Sequence, residues 1–384
     1  MNTKFLILIV LLSQQLLSQN RLKGIVLDQQ TKEPLEYADI YNSENYTSSN
    51  EDGRFIFISN NDSLNIGLLG YTTLHSTFQE QNSDTILLHK KVQNLEEIVI
   101  NSNDNLLKSV LDNFTNNYPL NPYKERFFLR SVLRRNNKII QLVDLSGKVE
   151  RQTLFSTKSN PMPKKNYSVE IENLRKAGIK EKDIEFSLSP FEELFTNFNS
   201  IYMSPEIYNF KYIPYKDSSF VRLEFTPKKE NSIYSTGYYL VNLEDNAFNE
   251  VSITNTHDSE FVERKKLKYR TTAYEVLVTF KKDLESKKYA IDKGNMKATV
   301  EVVPDDEEKI VYTVAYKLYT FDNFHNFEVN NNISLSKDIF RLKADYDKEF
   351  WESQHYLLLT EEMQSFLKMI LNEENNDFKN ITNF

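Results

Sequence analysis

The 384-residue chain offers five histidines, no cysteine and one alternating run of cations as its starting material for chemistry. His257-Asp258-Ser259-Glu260 has the H-x-x-E spacing of a zinc-binding pair, with His325 or His355 as a third ligand to be supplied from elsewhere. A working zinc site needs that third ligand and an open position for water. The segment reads as a polar turn, and so short a spacing arises readily by accident in a chain with 55 acidic residues. The expectation is therefore no metal, no cofactor and no catalytic residue. Without cysteine there is no lipid-modified N-terminal Cys, disulfide, thiolate metal site or thiol nucleophile. No G-x-S-x-G elbow, P-loop or G-x-G-x-x-G is present. The acid groups Glu361-Glu362 and Asp305 to Glu308 read as solvated, because unpaired carboxylates avoid burial. A glycosidase dyad stays open, since its two carboxylates need not be close in the chain.

Arg264, Lys266, Lys268 and Arg270 alternate, so a single strand there would carry four cations on one face. Such a row is either a solvent-facing side that discourages edge association or a patch for anionic lipid headgroups, glycan phosphates or an acidic partner. Nucleic acid is not expected as a partner. The formal net charge is −8, which becomes −9 once Lys4 is removed with the first segment, and repulsion opposes phosphate backbones.

The elements that would position these residues are mostly strands. Only 8 Gly and 10 Pro stand against 22 Tyr and 26 Phe, the balance of long twisted strands with aromatic rings on a pleated surface. The first nineteen residues combine Lys4, an apolar run from Phe5 to Leu12 and a small residue at Ser18, the layout of a secretory signal. That run is too short for a membrane span, because Ser13, Gln14 and Gln15 interrupt it. The mature chain is expected to start near Gln19 or Asn20, in the periplasm or at the envelope surface of a Gram-negative bacterium, and not as a lipoprotein.

Gly24 to Leu27, Ala38 to Ile40, Phe55 to Ile58 and Leu64 to Leu68 read as short strands, broken by Glu33-Pro34, Asp52-Gly53 and Gly70-Tyr71. The ordered set Gly24-x-Val26-x-Asp28, Glu33-Pro34-Leu35, Ala38-x-Ile40, Asp52-Gly53-x-Phe55, Gly70-Tyr71 and Leu95-Glu96-Glu97-Ile98-Val99-Ile100 resembles the carboxypeptidase-regulatory-like domain, a transthyretin-like β-sandwich. The resemblance implies a non-catalytic accessory module. In Gram-negative envelope proteins this domain often precedes the plug and barrel of TonB-dependent receptors, but the sequence that follows shows neither.

Beyond an Asn-rich joint at Asn101 to Asn105, Leu106, Leu107, Val110, Leu111 and Phe114 share one stripe of a connecting helix that Pro119 ends. The stretch from Asn116 to Glu150 resembles the opening of envelope proteins in which such a domain is followed by a longer β region of unassigned function. Successive strand patterns with polar turns then run on to Asp345, an antiparallel meander. Gly237 to Asn242 followed by Ala247 to Ile253 is similar to hairpins of the half-barrel fold of lipoprotein carriers. Residues 156–206 suit an insertion or lid, and Thr360 caps a final amphipathic helix bearing Met363, Phe366, Leu367, Ile370 and Leu371 before a loose polar tail.

The expected architecture is mainly β: signal 1–19, sandwich 20–100, linker helix 101–118, antiparallel β domain 119–358 with its insertion, and helix plus tail 359–384. The expected function is a non-catalytic envelope binding or scaffold protein with a filled core and an envelope protein, glycan or lipid as partner, including peripheral membrane contact. A periplasmic carrier of a lipid or hydrophobic ligand is the second reading, and a metallocarboxypeptidase-like or glycan-active enzyme the third.

Overall fold

The computed structural model describes residues 19–81, 83–91, 104–156, 160–180, 184, 186–215, 217–229, 235–256, 260–264, 267–304, 308–372 and 379–383. The signal segment up to Ser18 and the closing run Leu95 to Ile100 lie outside the described residues. The chain divides into two compact units, Met1–Gln93 with Glu352–Ser365, and Asn94–Trp351 with Phe366–Phe384.

The first unit is the expected sandwich. One sheet pairs β4 (Arg54–Ser59), β1 (Asn20–Asp28) and β7 (Thr85–Leu88), and the other β3 (Tyr46–Ser48), β2 (Asp39–Tyr41), β5 (Ser63–Gly67) and β6 (Leu74–Thr77). Period-two alternation sends Leu22 and Val26, Phe55 and Phe57, Leu64 and Ile66, and Ile86 and Leu88 into one core. The sandwich is not wholly antiparallel, because β7 runs parallel to β1. Gly53 turns the chain into β4 at φ +73, where a Cβ would also stand 2.6 Å from the Val26 carbonyl oxygen.

Asp28 organises the entry to this core. Its Oδ1 accepts from the amides of Gln30 (2.7 Å) and Thr31 (2.9 Å), and its Oδ2 accepts from the Tyr71 hydroxyl (2.8 Å) and lies 3.1 Å from Lys90 Nζ. The Thr31 amide first, then Tyr71, Lys90 and Gln30, outweigh burial and hold the carboxyl well below its usual range. Its native pKa is thus the lower one, so the stabilisation is present at neutral pH and fades only as acid carries the pH below the ordinary carboxylate value. Asp28→Asn is expected to lower the melting temperature at pH 7, with the difference from wild type shrinking below pH 4; a difference that stays constant through that range would contradict this.

The second unit is built on one open antiparallel sheet. Its order is β11 (Tyr208–Pro214), β12 (Phe220–Pro227), β13 (Thr236–Asn242), β14 (Ala247–Thr256), β16 (Leu267–Lys282), β17 (Tyr289–Pro304), β18 (Ile310–Phe321), β8 (Tyr123–Arg135), β9 (Lys138–Arg151), β10 (Tyr167–Lys180) and β19 (Lys379–Thr382), with β15 (Val262–Arg264) paired to β16. The tail expected to be loose thus contributes an edge strand: β19 pairs with Ala177 to Lys180, and the Asn383 side chain extends the ladder by accepting from the Lys176 amide (2.9 Å) and donating to the Leu174 carbonyl (2.8 Å). Edge protection of this kind blocks association of unpaired strands.

Helices α1 (Asp104–Asp112) and α2 (Phe114–Asn117) are more than a connector. Leu106, Leu107, Val110 and Phe114 belong to the main core, and Tyr118 behind them exchanges hydrogen bonds with Phe248, its hydroxyl accepting from the amide at 2.7 Å.

The segment 156–206 expected as an insertion is only partly one: Tyr167–Lys180 within it is strand β10 of the sheet, and the stretch from Leu188 to Met203 forms a cover. Helix α3 (Phe191–Asn199) lays Phe191, Leu194, Phe195 and Phe198, each 1% exposed, on the sheet. Phe127 of β8 meets Phe191 and Phe195 edge-on, and Phe198 sits so near Gly294 of β17 that a Cβ there would be 2.7 Å from its ring. Sheet tyrosines hold the cover by its backbone: Tyr239 donates to the Ile201 carbonyl and accepts from Met203, and Tyr316 accepts from Ser189. Burial pushes the Tyr316 phenol up to about 12, so it is a neutral donor and acceptor at any physiological pH. A second cover segment, Ile339–Arg341, adds Ile339 and Phe340, and Asp338 ties the two by accepting from the amides of Leu188 (3.1 Å) and Phe340 (2.8 Å).

After the short helix α4 (Lys348–Ser353), the final amphipathic helix, α5 (Glu361–Asn372), does not join the core of the large sheet. Met363, Phe366, Leu367 and Ile370 are buried, yet none is a member of the sheet's core, and the helix's first turn groups with the N-terminal unit.

Candidate functional site

Two charged clusters sit inside the second unit, one on each face of β8, β9 and β10. On the covered face, Tyr123, Glu125, Phe127 and Leu129 alternate along β8, and register places Arg151 of β9 between Tyr123 and Tyr167. Arg151 Nε donates to Glu125 Oε1 at 2.6 Å, with both side chains 0% exposed. The guanidinium stacks on Phe195 of α3 at 4.4 Å and lies 5.6 Å from the Tyr167 ring. Tyr167 in turn accepts from Asn199 Nδ2 at 3.2 Å. Burial raises the Glu125 carboxyl, against the pull of Arg151. Among the described residues, Arg151 Nη1 and Nη2, Glu125 Oε2, Tyr123 OH and Asn199 Oδ1 have no hydrogen-bond partner.

On the opposite face, Arg130, Asp144 and Arg175 form a cross-strand row. Arg130 grips Asp144 through two bonds of 2.7 and 3.1 Å, and Arg175 Nη2 donates to the same carboxylate. Burial alone would raise Asp144, but the two guanidinium groups hold it below its ordinary range. Arg175 also covers the Trp351 ring at 4.5 Å.

Neither cluster was singled out from the sequence, although a signal existed. Glu125 and Arg151 interrupt otherwise apolar inward registers, and a charge in such a position is costly unless paired.

The cation run lies elsewhere and is not one strand. Arg264 ends β15 and pairs opposite Leu267, while Glu263 stands opposite Lys268. The chain reverses within the run, so register separates Arg264 from the Lys268 and Arg270 set; Lys266 lies outside the described residues. Arg270 binds Glu301 at 2.9 Å beneath the Phe261 ring, and Lys309 reaches the same carboxylate at 2.7 Å. Local acids therefore offset part of the charge expected for an anion-binding patch.

The zinc candidates do not come together among the described residues. His257, Asp258 and Ser259 lie outside them, His325 is exposed in the second unit and His355 belongs to the first. No group of three or more His, Cys, Asp or Glu that could hold a metal occurs among the described residues. None of the described helices is long and apolar enough to cross a membrane.

A β-sandwich followed by an open, covered antiparallel sheet defines a two-unit β protein. Residues 22–100 match the family model of the CarboxypepD_reg-like domain, so the N-terminal unit carries that domain, as its motifs imply. No curated protein matches the chain. Among solved structures it is similar to lipovitellin (TM-score 0.26, 9% identity, covering 67% of this chain and 31% of that one). It is also similar to a LolA superfamily protein from Nitrosomonas europaea (0.20, 11%, covering 56% and 93%) and to the Pseudomonas aeruginosa MucA/MucB complex (0.17, 7%, covering 50% and 88%). The chain spans about a third of the lipovitellin chain it matches, and at these scores the likenesses carry no functional inference.

Proposed function

We propose that this chain is an exported, non-catalytic binding or scaffold protein of the bacterial cell envelope, working through its surfaces. The observation that supports this most is the filled face of the large sheet: Phe191, Leu194, Phe195 and Phe198, with Ile339 and Phe340, occupy the place an acyl chain would take in a carrier. An open trough would leave apolar area without cover, which folded proteins rarely do.

The carrier reading is favoured by one observation, the open antiparallel sheet that carries apolar residues along one face. Mass spectrometry of an organic extract of natively purified protein separates the two. The scaffold reading expects no lipid in stoichiometric amount; a recurring lipid near one per chain would reject it in favour of the carrier.

A further inference from the structure

A run of four polar residues in the N-terminal unit, Thr47, Ser48, Ser49 and Asn50, is almost completely buried. Polar groups so placed need partners. Ser49 finds them inside the sandwich, its hydroxyl donating to the Leu35 carbonyl (2.6 Å) and accepting from the Ala38 amide (2.8 Å), and Ser48 donates to the Ala38 carbonyl. Thr47 and Asn50 turn instead to a distant stretch of chain. Thr47 Oγ1 donates to the carbonyl of His355, and Asn50 Nδ2 reaches those of Leu358 (3.5 Å) and Leu359 (3.4 Å). Asn50 Oδ1 is fixed by the amides of Asp52 (3.0 Å) and Arg54 (2.9 Å), which aims the nitrogen outward. Asp52 Oδ2 then accepts from the Glu361 amide at 3.1 Å, and Arg54 pairs with the Glu361 carboxylate at 2.9 Å.

These contacts read an irregular backbone that bends at Tyr356 and Leu357 and then a helix start. Three carbonyls and one amide are engaged, Arg54 pairs with the Glu361 side chain, and the Leu357 side chain of the stretch is 1% exposed. Thr360 supplies the cap, accepting from the Met363 amide at 3.2 Å. Trp351 and Phe366, on either side of the stretch, both belong to the second unit, so the chain leaves that unit to place 352–365 here.

We propose that the Thr47–Arg54 face of the CarboxypepD_reg-like domain is a peptide-docking surface. Its partner class is a non-helical, bent segment that runs into a helix with an acidic first residue. In this chain the surface is occupied in cis by residues 355–361. Backbone groups fix the register of the segment, with an apolar residue at the Leu357 position and an acid opposite Arg54 at the helix start. The inference stands independently of whether the large sheet carries a ligand.

The test uses the full chain with residues 355–361 replaced by a Gly/Ser stretch of equal length, and a fluorescent synthetic peptide of residues 352–366. The intact chain competes with its own segment at an effective millimolar concentration, so the replaced chain is expected to bind the peptide at least tenfold more tightly. Adding Asn50→Leu to the replaced chain is expected to abolish that binding. Equal binding by intact and replaced chains, or binding indifferent to Asn50→Leu, would overturn the proposal. Should the replaced chain fail to fold, hydrogen exchange on the intact chain decides. The Glu361 amide is expected to be protected in wild type and to exchange at least tenfold faster in Asn50→Ala, and an unprotected amide in wild type overturns the docking.

Discussion

Arg151→Met is expected to destabilise the second unit by about 3–5 kcal/mol, because removing one partner strands the fully buried Glu125 carboxylate. Urea unfolding at pH 7 measures it. The double variant Glu125→Leu with Arg151→Met is expected to recover most of the loss, since apolar side chains of similar volume need no pairing. Acid adds a check of sign. Without Arg151, burial acts on Glu125 unopposed and its folded pKa, already raised in wild type, rises further above the unfolded value. The protonated form is then favoured, so the deficit should be largest at neutral pH and shrink as pH falls toward the ordinary carboxylate range. A single variant as stable as wild type at pH 7 would mean that the pair is not buried as described.

Phe195→Ala is expected to cost about 3–5 kcal/mol, as large-to-small changes at fully buried aromatic sites do. Phe195 touches Phe127, Tyr167 and Phe191 and stacks on Arg151, so the loss combines a cavity with a weakened cation–π contact. The same change opens apolar space under the cover. A hydrophobic fluorescent dye is therefore expected to bind the variant and not wild type, and equal dye binding by both would show the wild-type face to be open already.

The legible part of this protein was local. Alternation placed Phe55 with Phe57 and Leu64 with Ile66 on the inner face of the sandwich, and the ordered turn motifs pointed to the domain that residues 22–100 match. The strand-rich composition anticipated the antiparallel sheet, and the short helix near Pro190 to Phe198 was legible, but residues 156–206, set aside as an insertion, also hold the sheet strand β10 (Tyr167–Lys180). Each of these readings depends on spacing within a few residues, which side-chain period and turn chemistry fix directly.

What the sequence could not assign depends on distance in the chain. The cations at Arg264, Lys268 and Arg270 look like one face until β15 reverses and Glu301 arrives from β17 to pair with Arg270. Glu125 and Arg151 lie 26 residues apart and look like two unrelated surface charges until strand register brings them together under α3. Asn50 Oδ1 is bound locally by the Asp52 and Arg54 amides, but the partners of Thr47 Oγ1 and Asn50 Nδ2 follow some 308 residues later. The amphipathic stripe of α5 announced that it would be buried but not against what, since a stripe encodes the presence of an apolar partner and not its identity. Period and turn chemistry therefore determined the elements, and only the tertiary structure, by bringing distant segments together, decided which charges are paired, which face is filled and which segment returns to the N-terminal domain.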